Sequence, residues 1–267
     1  MQTRENCHKR IWLFSGTGEG PLITKELIQK GWKVTVSVVT EEAARSYANL
    51  MVEEIKIGPL SDQSEVRKII RNSKQNGYPF KFIIDATHPF AKKISNYLVN
   101  ACDLEQQRLI RFDREYEEVT ENENIINSIK DLSKINLNGE KILIAIGSRN
   151  LQEAVNSVIS SGGKPYARLL PNLNSLKIAL LSNLKEDDFA MLKPFDKDNL
   201  IYEKALCRKW NITGIICRQS GGITEKQWRL IAKEEKLKIW LLSRPTYSFN
   251  TEIYNNLNDL IKKINMS

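Results

Sequence analysis

The sequence predicts an α/β fold: two Rossmann-like domains with parallel sheets and an active site in the cleft between them. Three observations predict it. Short apolar, β-branched runs alternate with segments of helical periodicity along the whole chain. Runs such as Phe82-Ile83-Ile84 are continuously apolar, as strands buried on both faces are. The chain has 267 residues, which divides naturally into two domains of about 100–150 residues each.

The elements follow in order. Ile11 to Ser15 reads as a strand, Leu22 to Lys30 as a helix ended by Gly31, and Lys33 to Val39 as a β-branched strand. Val52 to Ile57 is a weaker strand closed by Gly58-Pro59, and Asp62 to Lys74 is a helix that Ser61 would cap. The Phe82 strand, a helix after Pro89 and a short strand at Leu109-Ile110 complete residues 1–113, the expected nucleotide-binding domain. The polar segment Asp113 to Asn138 reads as the join. Residues 114–267 repeat the style as a second domain for substrate. Strands are expected at Lys141 to Ile146, Pro165 to Leu170, Phe189 to Leu192, Ile212 to Cys217 and Lys238 to Leu242. Helices are expected at Leu151 to Ser160, Leu176 to Leu184, up to Trp210, Glu225 to Glu235 and, closing the chain, Ile253 to Ile264.

A content of 41% hydrophobic and 27% charged residues is that of a soluble globular chain. No apolar run approaches the roughly 18 residues of a membrane span, and Met1 to Arg10 lacks the apolar core of a signal peptide. Cys7, Cys102, Cys207 and Cys217 are widely spaced and form no CxxC pair, which reads as free thiols in a reducing cytoplasm and no metal site. The net charge of +8 is spread along the chain, with no basic tail and no basic stripe interleaved with aromatics. That argues against nucleic acid and toward an acidic small molecule. Nothing in the sequence indicates an oligomeric state.

Four constellations carry chemistry. In the turn Ser15-Gly16-Thr17-Gly18-Glu19-Gly20, glycines stand between the first strand and the first helix. There backbone N–H groups and the helix dipole favour a phosphate; a ligand-free tight turn is the simpler alternative. At the end of the second strand, Ser37, Thr40 and Arg45 suit a 2′-phosphate and therefore NADPH, while Glu41 would suit NADH. Asp85-Ala86-Thr87-His88-Pro89-Phe90 brings an acid, a hydroxyl and an imidazole to the end of the Phe82 strand. Asp85 and His88 are candidate catalytic groups there, although Asp85 and Thr87 could merely cap the next helix. His8 lies in the polar leader and is assigned nothing.

The fourth constellation is a series of strand-end cations: Arg111, Arg149, Arg168, Lys193, Arg218 and Arg244. Parallel strands share a direction, so these would line one cleft suited to several carboxylates. Surface salt bridges are the ordinary alternative for any one of them.

Taken together, these residues resemble the precorrin-6A reductase family, from about Ile11 to Pro245. Asp85-Ala86-Thr87-His88-Pro89-Phe90-Ala91 with Ile94-Ser95 is the most specific element, and Gly16-Thr17-Gly18-Glu19-Gly20 is similar to the family's nucleotide loop. Gly147-Ser148-Arg149-x-Leu151, Arg168-Leu169-Leu170-Pro171, Ser220-Gly221-Gly222 and Arg244-Pro245 resemble further family segments. Two positions depart: Lys193 stands where the family usually has Gly, and Arg218 where it usually has Lys. The resemblance implies NADPH-dependent reduction (NADH possible) of precorrin-6A, or its cobalt complex, a macrocycle bearing acetate and propionate groups. Gly147, Ser148, Phe195, Ser220 and Gly221 join the cations as expected substrate contacts, and Ala86, Pro89 and Phe90 join the cofactor set. Rival readings are a reductase of another polycarboxylate and a basic nucleotide- or RNA-binding module.

Overall fold

The computed structural model describes residues 9–193, 200–246 and 251–266. Strand β1 (Arg10–Ser15) leads into helix α1 (Glu19–Gln29), then β2 (Lys33–Val38), α2 (Glu41–Arg45), β3 (Glu54–Ile57) and α3 (Gln63–Gln75). Next come β4 (Phe82–Ala86), α4 (Lys92–Leu104) and β5 (Leu109–Phe112). A second series follows: β6 (Glu123–Ile126), β7 (Lys141–Ala145), α5 (Leu151–Ser160), β8 (Lys164–Leu169) and α6 (Leu173–Leu181). It continues through β9 (Phe189–Met191), α7 (Ile201–Trp210), β10 (Gly214–Arg218), α8 (Ile223–Glu234) and β11 (Lys238–Leu242). The chain closes with β12 (Glu252–Tyr254) and α9 (Leu257–Asn265). Among the described residues no helix is long and apolar enough to cross a membrane.

Two compact units result, each on one six-stranded sheet whose described pairings are all parallel. The first sheet runs β3-β2-β1-β4-β5-β12, a doubly wound order that reverses direction between β1 and β4. Its alternation is visible in β1: Ile11 and Leu13 pack with α1 and α9 residues on one face, while Trp12 and Phe14 pack with Val66, Ile70 and Leu98 on the other. The second sheet runs β9-β8-β7-β10-β11-β6 and reverses between β7 and β10. Leu143, Ile215, Cys217, Trp210 and Trp228 are among the buried residues of its core.

Four expectations are corrected here. The chain does not divide cleanly at 113, because residues from Pro245 onward rejoin the first unit. Glu252–Tyr254 is a strand that pairs with Ile110 to Phe112, so the closing helix starts only at Leu257, where the Asn256 side chain accepts from the Asn258 N–H at 2.8 Å. Leu260 and Ile264 of that helix are completely buried, a contribution of about 1.5–3 kcal/mol for each such side chain. The polar join is not wholly irregular, since β6 pairs with β11 at the edge of the second sheet. Finally, Asp62 rather than Ser61 caps α3, accepting from the N–H groups of Ser64 (2.7 Å) and Glu65 (3.1 Å).

Candidate active site

Register alone brings the first and third constellations together. Phe14 lies opposite Asp85 and Ser15 opposite Ala86, so the glycine turn and the Thr87–Phe90 loop leave adjacent strands at the point where the first sheet reverses. The Gly16 N–H donates to the Ala86 carbonyl at 3.3 Å, and the Thr17 hydroxyl reaches the same oxygen at 3.4 Å. A Cβ on Gly16 would stand 3.0 Å from the His88 nitrogen, and one on Gly20 only 1.9 Å from Ser15 Oγ and 2.3 Å from Tyr47 Oη. Gly18 differs: its φ of −65° suits any residue, and a Cβ there would meet nothing within 4 Å. Its lack of a side chain thus leaves open space in front of α1. No hydrogen bond among the described residues takes up the Thr17 or Gly18 N–H. Open space, backbone donors and a helix N-terminus make a cradle that fits the pyrophosphate of a dinucleotide.

Glu19, the first residue of α1, is gripped by Arg114, with Nε to Oε1 at 2.7 Å and Nη2 to Oε2 at 2.6 Å. Burial pushes the Glu19 carboxyl up, but hydrogen bonds from Arg114 and Thr17 and the guanidinium charge outweigh it and hold the group below the usual carboxylate range. Sequence reading missed Arg114, because it sits in the polar join with no motif around it.

The Asp85 loop is more tightly built than its sequence suggests. Asp85 is 2% exposed, and its Oδ1 accepts from the Thr87 N–H (3.0 Å) and the Thr87 hydroxyl (2.6 Å). Arg111 Nη1 lies 2.8 Å from the same oxygen. Neither Asp85 nor Thr87 caps α4, whose N-cap is Ala91 with no side-chain cap. The Phe90 N–H donates to His88 Nδ1 at 3.2 Å, so the neutral ring carries its proton on Nε2. Pro89 is buried, and the Phe90 ring lies tilted against His88 at 5.8 Å.

At the end of β2 the expected 2′-phosphate set is thinned. Ser37 is buried and accepts from the Trp12 indole at 2.8 Å, which places it in the core. Thr40 caps α2, accepting from the Ala43 N–H at 3.2 Å. Arg45 is exposed in the last turn of that helix, with no ion pair among the described residues.

The second unit repeats the arrangement. Ala145 pairs with Cys217, so the Gly147-Ser148-Arg149 turn after β7 and the Arg218–Gly221 turn after β10 adjoin where the second sheet reverses. Gly147 has φ +80°, a conformation other side chains resist, and a Cβ there would lie 4.0 Å from the Arg218 guanidinium. Ser148 Oγ accepts from the Ser175 hydroxyl at 3.3 Å. Gly221, at φ +66°, donates its N–H to Glu225 at 2.6 Å, and Ser220 is buried. Burial, then the charge of neighbouring Arg149, push the Arg218 pKa down to about 10. Two cations near enough for one to act on the other suit an anion.

The six strand-end cations differ in burial and in partners. Arg111 is 3% exposed, belongs to the first unit and is paired with Asp85 and Thr87. Arg168 is likewise buried, paired with Glu203 at 3.2 Å and donating to the Lys193 carbonyl. Because Lys193 serves there through its backbone, this contact does not require the glycine expected at that position; the side chain itself is exposed. Arg244 is buried, donating to the Gln219 carbonyl at 3.0 Å and stacking 4.0 Å over the Tyr116 ring. Arg149, Lys193 and Arg218 keep some exposure. Phe195 and His8 lie outside the described residues. Cys102 and Cys207 are buried thiols pushed up to about 12 by that burial, poor nucleophiles both.

Comparison with known proteins gives a consistent result. The family model described as precorrin-6x reductase CbiJ/CobK matches residues 10–265. The chain is 28% identical to a cobalt-precorrin-6A reductase of Synechocystis sp. (strain ATCC 27184 / PCC 6803 / Kazusa), covering 79% of this chain and 78% of that one. It is 25% identical to a cobalt-precorrin-6A reductase of Priestia megaterium, covering 94% and 96% respectively. Among solved structures, one described as CobK precorrin-6A reductase has a similar fold, with a TM-score of 0.74, 18% identity and 96% of each chain covered.

Proposed function

The chain belongs to the precorrin-6x reductase CbiJ/CobK family, and from that premise we propose how its own residues divide the work of reduction. It is an oxidoreductase of cobalamin biosynthesis that uses a nicotinamide cofactor. The observation that carries the proposal is the convergence of the open Gly18 turn and the His88 loop at the reversal point of the first sheet.

In this reading the Thr17 and Gly18 N–H groups and the start of α1 hold the pyrophosphate. Arg45, beside the Thr40 cap, meets a 2′-phosphate, so NADPH is preferred over NADH. The bound nicotinamide supplies the hydride. His88, once protonated by solvent to the imidazolium, gives a proton to the substrate carbon and returns to the neutral ring in which Nδ1 accepts from the Phe90 N–H; buried, ion-paired Asp85 does not. Arg149 and Arg218 hold peripheral carboxylates of precorrin-6A or its cobalt complex, with Ser148 and Gly221 shaping the turns that carry them. The cobalt, where present, is part of the substrate. The reaction is cytoplasmic, in keeping with the cysteine pattern. The test is oxidation of NADPH and of NADH by the purified protein with precorrin-6A and, separately, its cobalt complex. Turnover with NADPH and a macrocycle supports the reading, and a preference for NADH overturns the 2′-phosphate assignment.

A further inference from the structure

The Asp85–Arg111 pair has a geometry that neither proton transfer nor substrate binding explains. Arg111 Nη2 donates to the Thr87 carbonyl at 3.1 Å, and Nη1 lies 3.1 Å from Thr87 Oγ1 and 3.3 Å from Ser95 Oγ on α4. Asp85 Oδ1 accepts from the N–H and the hydroxyl of the same threonine. Asp113 stands 3.6 Å from Nη2. Thr87 is therefore gripped at N–H, hydroxyl and carbonyl by an ion pair that is almost entirely buried. Its carbonyl belongs to the peptide bond whose nitrogen is that of His88. That nitrogen is the atom nearest to where a Gly16 side chain would be. A peptide unit is planar, so fixing the carbonyl fixes the N–H on its opposite side.

We infer that Asp85 and Arg111 are positioning residues: their buried clasp on Thr87 sets the Thr87–His88 peptide against the glycine turn and so presets the dinucleotide site. An ion pair withdrawn from water is a poor way simply to add stability. It is a good way to hold one loop in one geometry, which a binding site for a large rigid cofactor requires. The inference rests on the nucleotide assignment above and goes beyond it by naming what holds the site in shape.

The experiment compares Arg111→Lys with the native protein. Lysine keeps the charge beside Asp85 but cannot reach Asp85, Thr87 O and Ser95 together. Nucleotide affinity, by calorimetry with NADPH, should weaken by about tenfold, while KM for the macrocycle at saturating NADPH stays as in the native protein. A raised macrocycle KM with unchanged NADPH affinity would overturn the inference and return Arg111 to substrate binding. Lower thermal stability with both constants unchanged would reduce the clasp to a structural pair. If Arg111→Lys does not fold, Thr87→Ala and Thr87→Ser give the same test: alanine should lose NADPH affinity and serine restore it, and normal binding by alanine overturns the inference. Gly18→Val separates the two readings. If it too leaves NADPH affinity intact, the nucleotide assignment has failed; if it alone weakens binding, only the clasp has.

Discussion

Arg114 grips Glu19 with two parallel hydrogen bonds of 2.7 and 2.6 Å, fastening the first turn of α1 to the segment that follows β5. Bidentate geometry of this kind is stronger than a single contact. Glu19 is held below its ordinary 4.5, so its contribution to stability is full above that value and is lost as pH falls through the lower, folded value. Arg114→Ala should cost about 1–2 kcal/mol in urea unfolding at neutral pH. The difference from the native protein should vanish in acid, where Glu19 is protonated in both. An equal difference at both pH values would show that the pair is not the cause.

Gly18 and Gly20 should respond oppositely. Gly18→Val has room in the fold but fills the cradle, so NADPH affinity should drop by about tenfold with stability unchanged. Gly20→Ala places a carbon 1.9 Å from Ser15 Oγ, and overpacking of that kind costs roughly 1–3 kcal/mol. Chemical denaturation and calorimetry on both variants check the contrast.

Arg45→Ala should narrow the preference for NADPH over NADH by about tenfold, the value of one charge-assisted contact to phosphate. Thr40→Ala should instead cost about 1 kcal/mol of stability through its lost cap. Steady-state kinetics with both nucleotides distinguish the two effects.

Arg168 and Arg218 should part company. Arg168→Ala leaves Glu203, 3% exposed, without its guanidinium, and breaking a buried pair costs about 3–5 kcal/mol. Arg218→Ala should leave the fold intact and raise KM for the macrocycle by about tenfold, with NADPH affinity unchanged. If Arg218→Ala left KM unchanged, the Arg149–Arg218 seat would have no role in substrate binding.

His88→Ala should lower kcat by about a hundredfold while NADPH still binds, the loss expected for one general acid. Retained kcat would move proton delivery to solvent.

Much of the site is legible in the order of residues alone. The glycine turn, the Asp85–Phe90 segment and the Gly147 and Ser220 turns all follow apolar runs, and parallel sheets put every such turn at one edge. Identical strand-end arginines, however, divide into buried clasps and accessible groups. Arg111 follows Leu109-Ile110 much as Arg218 follows Ile216-Cys217, yet one is almost fully buried against Asp85 while the other keeps some exposure. Nothing local separates them, because the difference lies in the residue that a distant segment brings alongside.

The sequence by itself determined the alternation of the longer strands and helices, the parallel α/β class and the position of each candidate turn, since apolar periodicity and glycine placement act over a few residues. Tertiary structure alone decided that β12 and α9 return to the first sheet, that β6 joins the second, and that Asp85 and Arg111 are partners. β6 and β12 each open on a glutamate within polar sequence and carry too little apolar pattern to announce themselves. Their place is chosen by the unpaired sheet edge and the uncovered apolar face waiting elsewhere in the chain.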